Sequence, residues 1–92
     1  MNMEVQSEVK NFVIDYFKEK GLPDIDAESE LLGYNYLEKG IIDSFGIVEM
    51  IVSMEGQFRI TFPPEEMQKE EFGTVGGLIN LVDKLMGSQN SQ

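Results

Sequence analysis

A serine, Ser44, follows an acidic residue near the end of Gly40-Ile41-Ile42-Asp43-Ser44-Phe45, where a loop pattern gives way to the apolar run Gly46-Ile47-Val48-Glu49-Met50-Ile51. Two chemistries fit that placement. Serine and aspartate both accept hydrogen bonds from the orphan N–H groups that open a helix, so Asp43 or Ser44 is a natural N-cap. The second is covalent attachment at Ser44, because free N–H groups and the positive end of the helix dipole favour a phosphate on its oxygen. At a loop–helix junction the hydroxyl stays within reach of a modifying enzyme, and simple phosphorylation fits the same local chemistry. Asp43 opposes a permanent anion by repulsion, yet is placed to help bind a metal or a basic residue during modification.

Other chemistry is narrower. The 92 residues include no cysteine and no histidine, which removes disulfides, the usual zinc sites, cysteine nucleophiles, histidine bases and His-containing triads. Asp24-Ile25-Asp26-Ala27-Glu28-Ser29-Glu30 superficially resembles a calcium loop, but the sixth and twelfth positions from Asp24 are Ser29 and Asn35. An EF-hand needs glycine and glutamate there, so no metal site is assigned. Paired catalytic carboxylates need a cleft that raises one pKa. The acids here fall mostly at solvated helix positions or in polar loops, so no catalytic residue is assigned and a self-contained enzyme is not expected.

The elements that must position Ser44 follow from periodicity. Val5, Val9, Phe12, Val13, Tyr16 and Phe17 recur at steps of three and four, predicting an amphipathic helix from Asn2 to about Lys20, stopped by Gly21 and Pro23. Residues 22–43 form a long connection too apolar to be a floppy linker, with a short helical turn expected near Ser29 to Leu32. A second helix is predicted from about Ser44 to Phe58, with Ile47, Ile51, Met54 and Phe58 as its stripe and Phe45, Val48 and Val52 widening it. A helix apolar over so much of its circumference is either central to the core or partly exposed for a partner. Pro64 suits the first position of a short helix with Met67 and Phe72 as its candidate inward residues and Gly73 interrupting it. Thr74 suits the N-cap of a last helix carrying Val75, Leu78, Ile79, Val82, Leu85 and Met86. The expectation is an all-α four-helix bundle in one domain, residues 1–87. It has three longer helices, one short helix, a long loop between the first two, and a disordered polar tail over 88–92.

Seventeen acidic against seven basic residues give a formal charge of −10. Such a field disfavours nucleic acid and anionic membrane surfaces, and favours protein partners with Lys and Arg patches. Met1-Asn2-Met3-Glu4 leads straight into the amphipathic pattern without a secretory h-region, and no apolar run approaches a membrane span. A monomeric cytoplasmic protein is expected.

Glu38-Lys39-Gly40-Ile41-Ile42-Asp43-Ser44-Phe45-Gly46-Ile47-Val48-Glu49 resembles the attachment motif of acyl carrier proteins, whose hallmark is Asp-Ser-Leu opening the second helix. The resemblance covers nearly the whole chain, including Phe58-Arg59-Ile60, Phe62-Pro63-Pro64-Glu65-Glu66 and Phe72-Gly73-Thr74-Val75. It implies that Ser44 carries 4′-phosphopantetheine, transferred from coenzyme A by a separate magnesium-dependent phosphopantetheinyl transferase, and that the arm's thiol holds acyl groups as thioesters. The reactive sulfur would then belong to the prosthetic group, in a chain without cysteine. By the same resemblance Asp43, Phe45, Val48 and Glu49 lie where partner enzymes bind, and Ile47, Ile51 and Met54 are candidates to shelter an acyl chain, beside plain core packing for each. The cargo this puts first is an acyl intermediate of fatty acid, lipid or polyketide biosynthesis. An aminoacyl or peptidyl carrier and an unmodified acidic adaptor are the alternatives. Phe45 in place of the usual leucine, and Gly46 and Gly56 where acids are common, count against the housekeeping carrier of fatty acid synthesis and leave open a specialised one.

Overall fold

Three amphipathic segments supply the long helices of the computed structural model, which describes the backbone of residues 2–89 and the side chains of residues 8–89. Helix α1 spans Asn2–Glu19, α2 Glu28–Leu32, α3 Ser44–Phe58, α4 Pro64–Met67 and α5 Val75–Gln89, with a 3₁₀ turn at Glu70–Gly73 before α5. The architecture is the expected all-α bundle. The anticipated turn in the long loop is α2, and Met67 and Phe72 sit on two separate short elements, α4 and the 3₁₀ turn. Of the sequence-predicted α1 stripe, the Val5 side chain lies outside the described residues. Helix α5 runs on through Ser88 and Gln89, where the sequence reading begins its tail. There Gln89 bonds Thr61 in both directions: its Oε1 accepts from the Thr61 N–H at 2.7 Å and its Nε2 donates to the Thr61 carbonyl at 2.8 Å. Residues 90–92 lie outside the described residues.

Local chemistry ends the helices where the sequence punctuates them. Gly21, at φ 112°, closes α1 in a Schellman turn. The Leu22 N–H reaches the Phe17 carbonyl at 2.9 Å, the Gly21 N–H reaches that of Lys18 at 3.2 Å, and Leu22 is buried. Pro64 occupies the first turn of α4, and the Thr74 Oγ1 caps α5 by accepting from the Gly77 N–H at 3.0 Å.

Val9, Val13 and Phe17 from α1, Met50, Met54 and Phe58 from α3, and Val75, Leu78, Val82 and Leu85 from α5 form the core, with Tyr36, Phe62 and Phe72 from the connections. Aromatic contacts tie the elements: Phe12 of α1 meets Phe58 of α3 edge to face with centroids 5.3 Å apart, and Phe17 packs on Tyr36 of the long loop at 4.3 Å with the rings tilted by 30°. The long loop is therefore fixed. Tyr36 is fully buried and its hydroxyl donates to the Phe72 carbonyl, while burial pushes the phenol well above its ordinary pKa. On either side of it, the Tyr36 N–H donates to the Gly73 carbonyl at 3.0 Å and the Val75 N–H to the Tyr34 carbonyl at 3.1 Å. Glycine permits the tightest contact: a Cβ on Gly77 would fall 1.8 Å from the Glu71 carbonyl oxygen. On the same side of the bundle, Lys84 at 3.0 Å and Lys69 at 3.1 Å hold the Glu66 carboxyl below its usual range.

Candidate functional site

The pinned loop delivers the chain to the start of α3. Asn35 Oδ1 accepts from the Leu37 N–H at 3.1 Å and the Glu38 N–H at 2.8 Å, Gly40 turns the chain at φ 75°, and Ile42 is buried. Asp43 then takes the capping position in extended geometry. Its Oδ1 accepts from the Gly46 N–H at 2.7 Å, and its carbonyl accepts from the Ile47 N–H at 2.9 Å. Of the two cap candidates in the sequence, the cap is Asp43.

That assignment releases Ser44. It is the first residue of α3, exposed, and its hydroxyl makes no hydrogen bond among the described residues. The N–H groups of Ser44 and Phe45, in the first turn, have no carbonyl within the helix to bond. An anion on the Ser44 oxygen would meet these two donors and the positive end of a 15-residue helix, with the Asp43 carboxylate opposing it. An exposed hydroxyl on a rigid backbone thus fits a covalently attached phosphate. Gly46 has its own reason here: a Cβ would lie 3.0 Å from Ile42 Cγ2 and 3.2 Å from Asp43 Oδ1, so its absence lets the buried loop residue and the cap close on the first turn.

The sequence-predicted partner residues share this end of the helix. Phe45 is 83% exposed and Val48 59% exposed, while Asp43 and Glu49 are exposed as well. Sequence reasoning assigned no partner role to Val52, which is 61% exposed. The signal was its spacing, four residues from Val48 and seven from Phe45, on one helix face. The other apolar residues of α3 turn inward. Ile47 and Ile51 are half-buried against the core, whereas Met54 is fully buried, as is Met50, which the sequence stripe left out. Few acids share the exposed face. Glu55 is half-buried and its Oε2 accepts from the Phe62 N–H at 3.0 Å.

This construction suits a carrier domain: a rigid bundle with an exposed, unbonded hydroxyl at a helix start, beside an uncovered apolar face. No protein-family model and no solved structure matches the chain. Curated proteins do. The chain is 34% identical over 79 residues to a D-alanyl carrier protein of Streptococcus suis, covering 86% of this chain and 96% of that protein. It is 32% identical over 83 residues to one of Bacillus velezensis, covering 90% and 99%. A D-alanyl carrier protein of Streptococcus mutans is 30% identical over 83 residues, covering 90% and 96%. The chain therefore belongs to the family of these proteins, phosphopantetheine-binding carriers of the acyl-carrier type. Members carry covalent 4′-phosphopantetheine, and the protein is a carrier rather than an enzyme. The relatives are named for an aminoacyl cargo. That corresponds to the aminoacyl alternative of the sequence reading, not to the fatty acid, lipid or polyketide intermediates it put first. No helix among the described residues is long and apolar enough to cross a membrane.

Proposed function

We propose that Ser44 is the attachment residue for 4′-phosphopantetheine and that the protein carries D-alanine as a thioester on that arm. The observation that carries the attachment is the free, exposed hydroxyl of Ser44, left unbonded because Asp43 does the capping. The cargo reading is supported by the relatives named D-alanyl carrier protein. The group supplies a terminal thiol that takes up an activated aminoacyl group. The chain's own residues hold its point of attachment still, through the Asp43 cap and buried Ile42, and offer partners the Phe45, Val48 and Val52 face. Partners would be a phosphopantetheinyl transferase, an enzyme that loads the amino acid and an acceptor enzyme. Their docking surfaces would be chiefly apolar, with basic groups opposite Asp43 and Glu49.

The test has two stages. Purified chain is incubated with coenzyme A and a broad-specificity transferase, and its intact mass should rise by one phosphopantetheine in the wild type and not in Ser44→Ala. Absence of the adduct, or equal modification of Ser44→Ala, would overturn the attachment. Holo chain isolated from its cells should release D-alanine on mild thioester hydrolysis, identified by chiral chromatography. A fatty acyl or L-aminoacyl product would overturn the cargo.

A further inference from the structure

Beside Ser44 an open groove of about 330 Å³ runs between the end of α1 and the first turns of α3. Its walls include Lys20, Ile41, Ile42, Asp43, Phe45 and Glu49. Lys20 is the residue at which the Schellman turn closes α1, so its backbone is fixed. Its ammonium lies over the Tyr16 ring, 5.4 Å from the centroid, and forms no salt bridge among the described residues. Lys20, whose ammonium has no carboxylate partner among the described residues, thus lines a groove that also contains two carboxylates and includes both chain neighbours of Ser44 in its walls.

We infer that this groove is the berth of the inner half of the phosphopantetheine arm, with Lys20 as counter-ion to the phosphodiester and Ile41 and Phe45 flanking the geminal dimethyl group. The inference rests on attachment at Ser44. A phosphodiester there adds a negative charge beside Asp43 and Glu49, and two helix N–H groups alone answer it from the α3 side. Lys20 supplies the compensating charge from across the groove. On an arm that starts at Ser44 the phosphate comes first and the apolar branched carbon follows a few bonds later. The groove offers a cation, Lys20, for the first and the apolar side chains of Ile41 and Phe45 for the second. The volume sits at the lower end of small-ligand sites, sized for part of the arm and leaving the thiol end outside.

The experiment uses uniformly ¹³C,¹⁵N-labelled chain converted to the holo form with unlabelled coenzyme A, conversion being verified by intact mass. Isotope-filtered NOE spectra should show cross-peaks from the two geminal methyl groups to the Ile41 methyls and the Phe45 ring. Lys20→Gln should weaken them by about threefold, the scale of one exposed ion pair, and Lys20→Arg should restore them. Lys39→Gln, which removes a nearby positive charge outside the groove, should leave them unchanged. Absent cross-peaks, cross-peaks to Met67 on α4 instead, or equal effects of Lys20→Gln and Lys39→Gln would overturn the berth. Failure of the mass shift overturns the attachment reading itself, whereas a normal shift without these contacts overturns only the berth.

Discussion

Replacing Phe45 by alanine removes the largest exposed apolar side chain beside Ser44 without disturbing the core. An aromatic side chain of this kind presents about 150–250 Å². With 83% of it open, a partner could cover roughly 120–210 Å², which at ~25 cal/mol/Å² sets a ceiling of about 3–5 kcal/mol. Ordering the ring and the imperfect fit of any interface offset part of this, leaving ~2 kcal/mol, the usual scale of an aromatic anchor. The expected outcome is a fall of about 30-fold in kcat/KM for enzymatic aminoacylation of the holo chain, followed by intact mass, with a smaller fall for Phe45→Leu. Folding stability should stay within about 0.5 kcal/mol of wild type, because the ring packs on nothing that truncation would leave empty. A kcat/KM within twofold of wild type would refute the docking role. So would a loss of activity accompanied by an equal loss of stability, since the defect would then be structural.

Two further outcomes test how the scaffold holds the site. Gly77→Ala drives a methyl group to within 1.8 Å of the Glu71 carbonyl and 2.7 Å of the Thr74 hydroxyl that caps α5. Overpacking and loss of the cap should together destabilise by ~3 kcal/mol or more, read as a drop of about 1–3 M in the urea midpoint; an unchanged midpoint would refute the contact. Tyr36→Phe leaves the Phe72 carbonyl without its donor and should cost about 1–3 kcal/mol in urea denaturation. The same residue sets an alkaline limit. Its phenol ionises near pH 10 in the unfolded chain but stays protonated higher in the fold. Above about pH 10 the unfolded state thus binds fewer protons, and stability falls as pH rises. Tyr36→Phe should remove that share of the slope, and an unaltered alkaline slope would count against a buried, donating phenol.

The sequence makes the long helices legible because their apolar residues repeat with the helical period, with Gly21 closing α1 and Gly73-Thr74 standing just before α5. It singles out Ser44 only through the pattern around it, since an Asp-Ser pair at the change from loop to helix is by itself accounted for by capping. What it leaves open on α3 is orientation. Apolar residues occur almost all round that helix, so the periodicity assigns no unique inner face. Met50 proves fully buried where Ile47 and Ile51 are only half-buried, and Phe45, Val48 and Val52 face out. Gly76 and Gly77 read locally as poor helix formers. Their reason is tertiary, since a Cβ on Gly76 would lie 3.0 Å from the Leu32 carbonyl oxygen and one on Gly77 would run into Glu71. Cargo is illegible for a different reason. On the proposed reading it hangs from the far end of an arm, so a motif around Ser44 would record the attachment and not what the thiol holds; the relatives, not the residues, point to an amino acid.

Asp43 allows one helix start to serve folding and, on the proposed reading, modification as well. Were Ser44 the cap, its oxygen would be engaged with the N–H groups of α3, and modifying it would disturb the end of the helix that forms part of the core. With Asp43 accepting from Gly46 and Ile42 buried behind it, the first turn is complete without the serine side chain. The hydroxyl is then free to react while its backbone stays fixed. The same economy applies to the face beside it. Phe45, Val48 and Val52 lie in water because the buried face of α3 is already filled by Met50, Met54 and Phe58. A partner that covers them gains apolar contact without unpacking the bundle, so docking and release need not be coupled to unfolding.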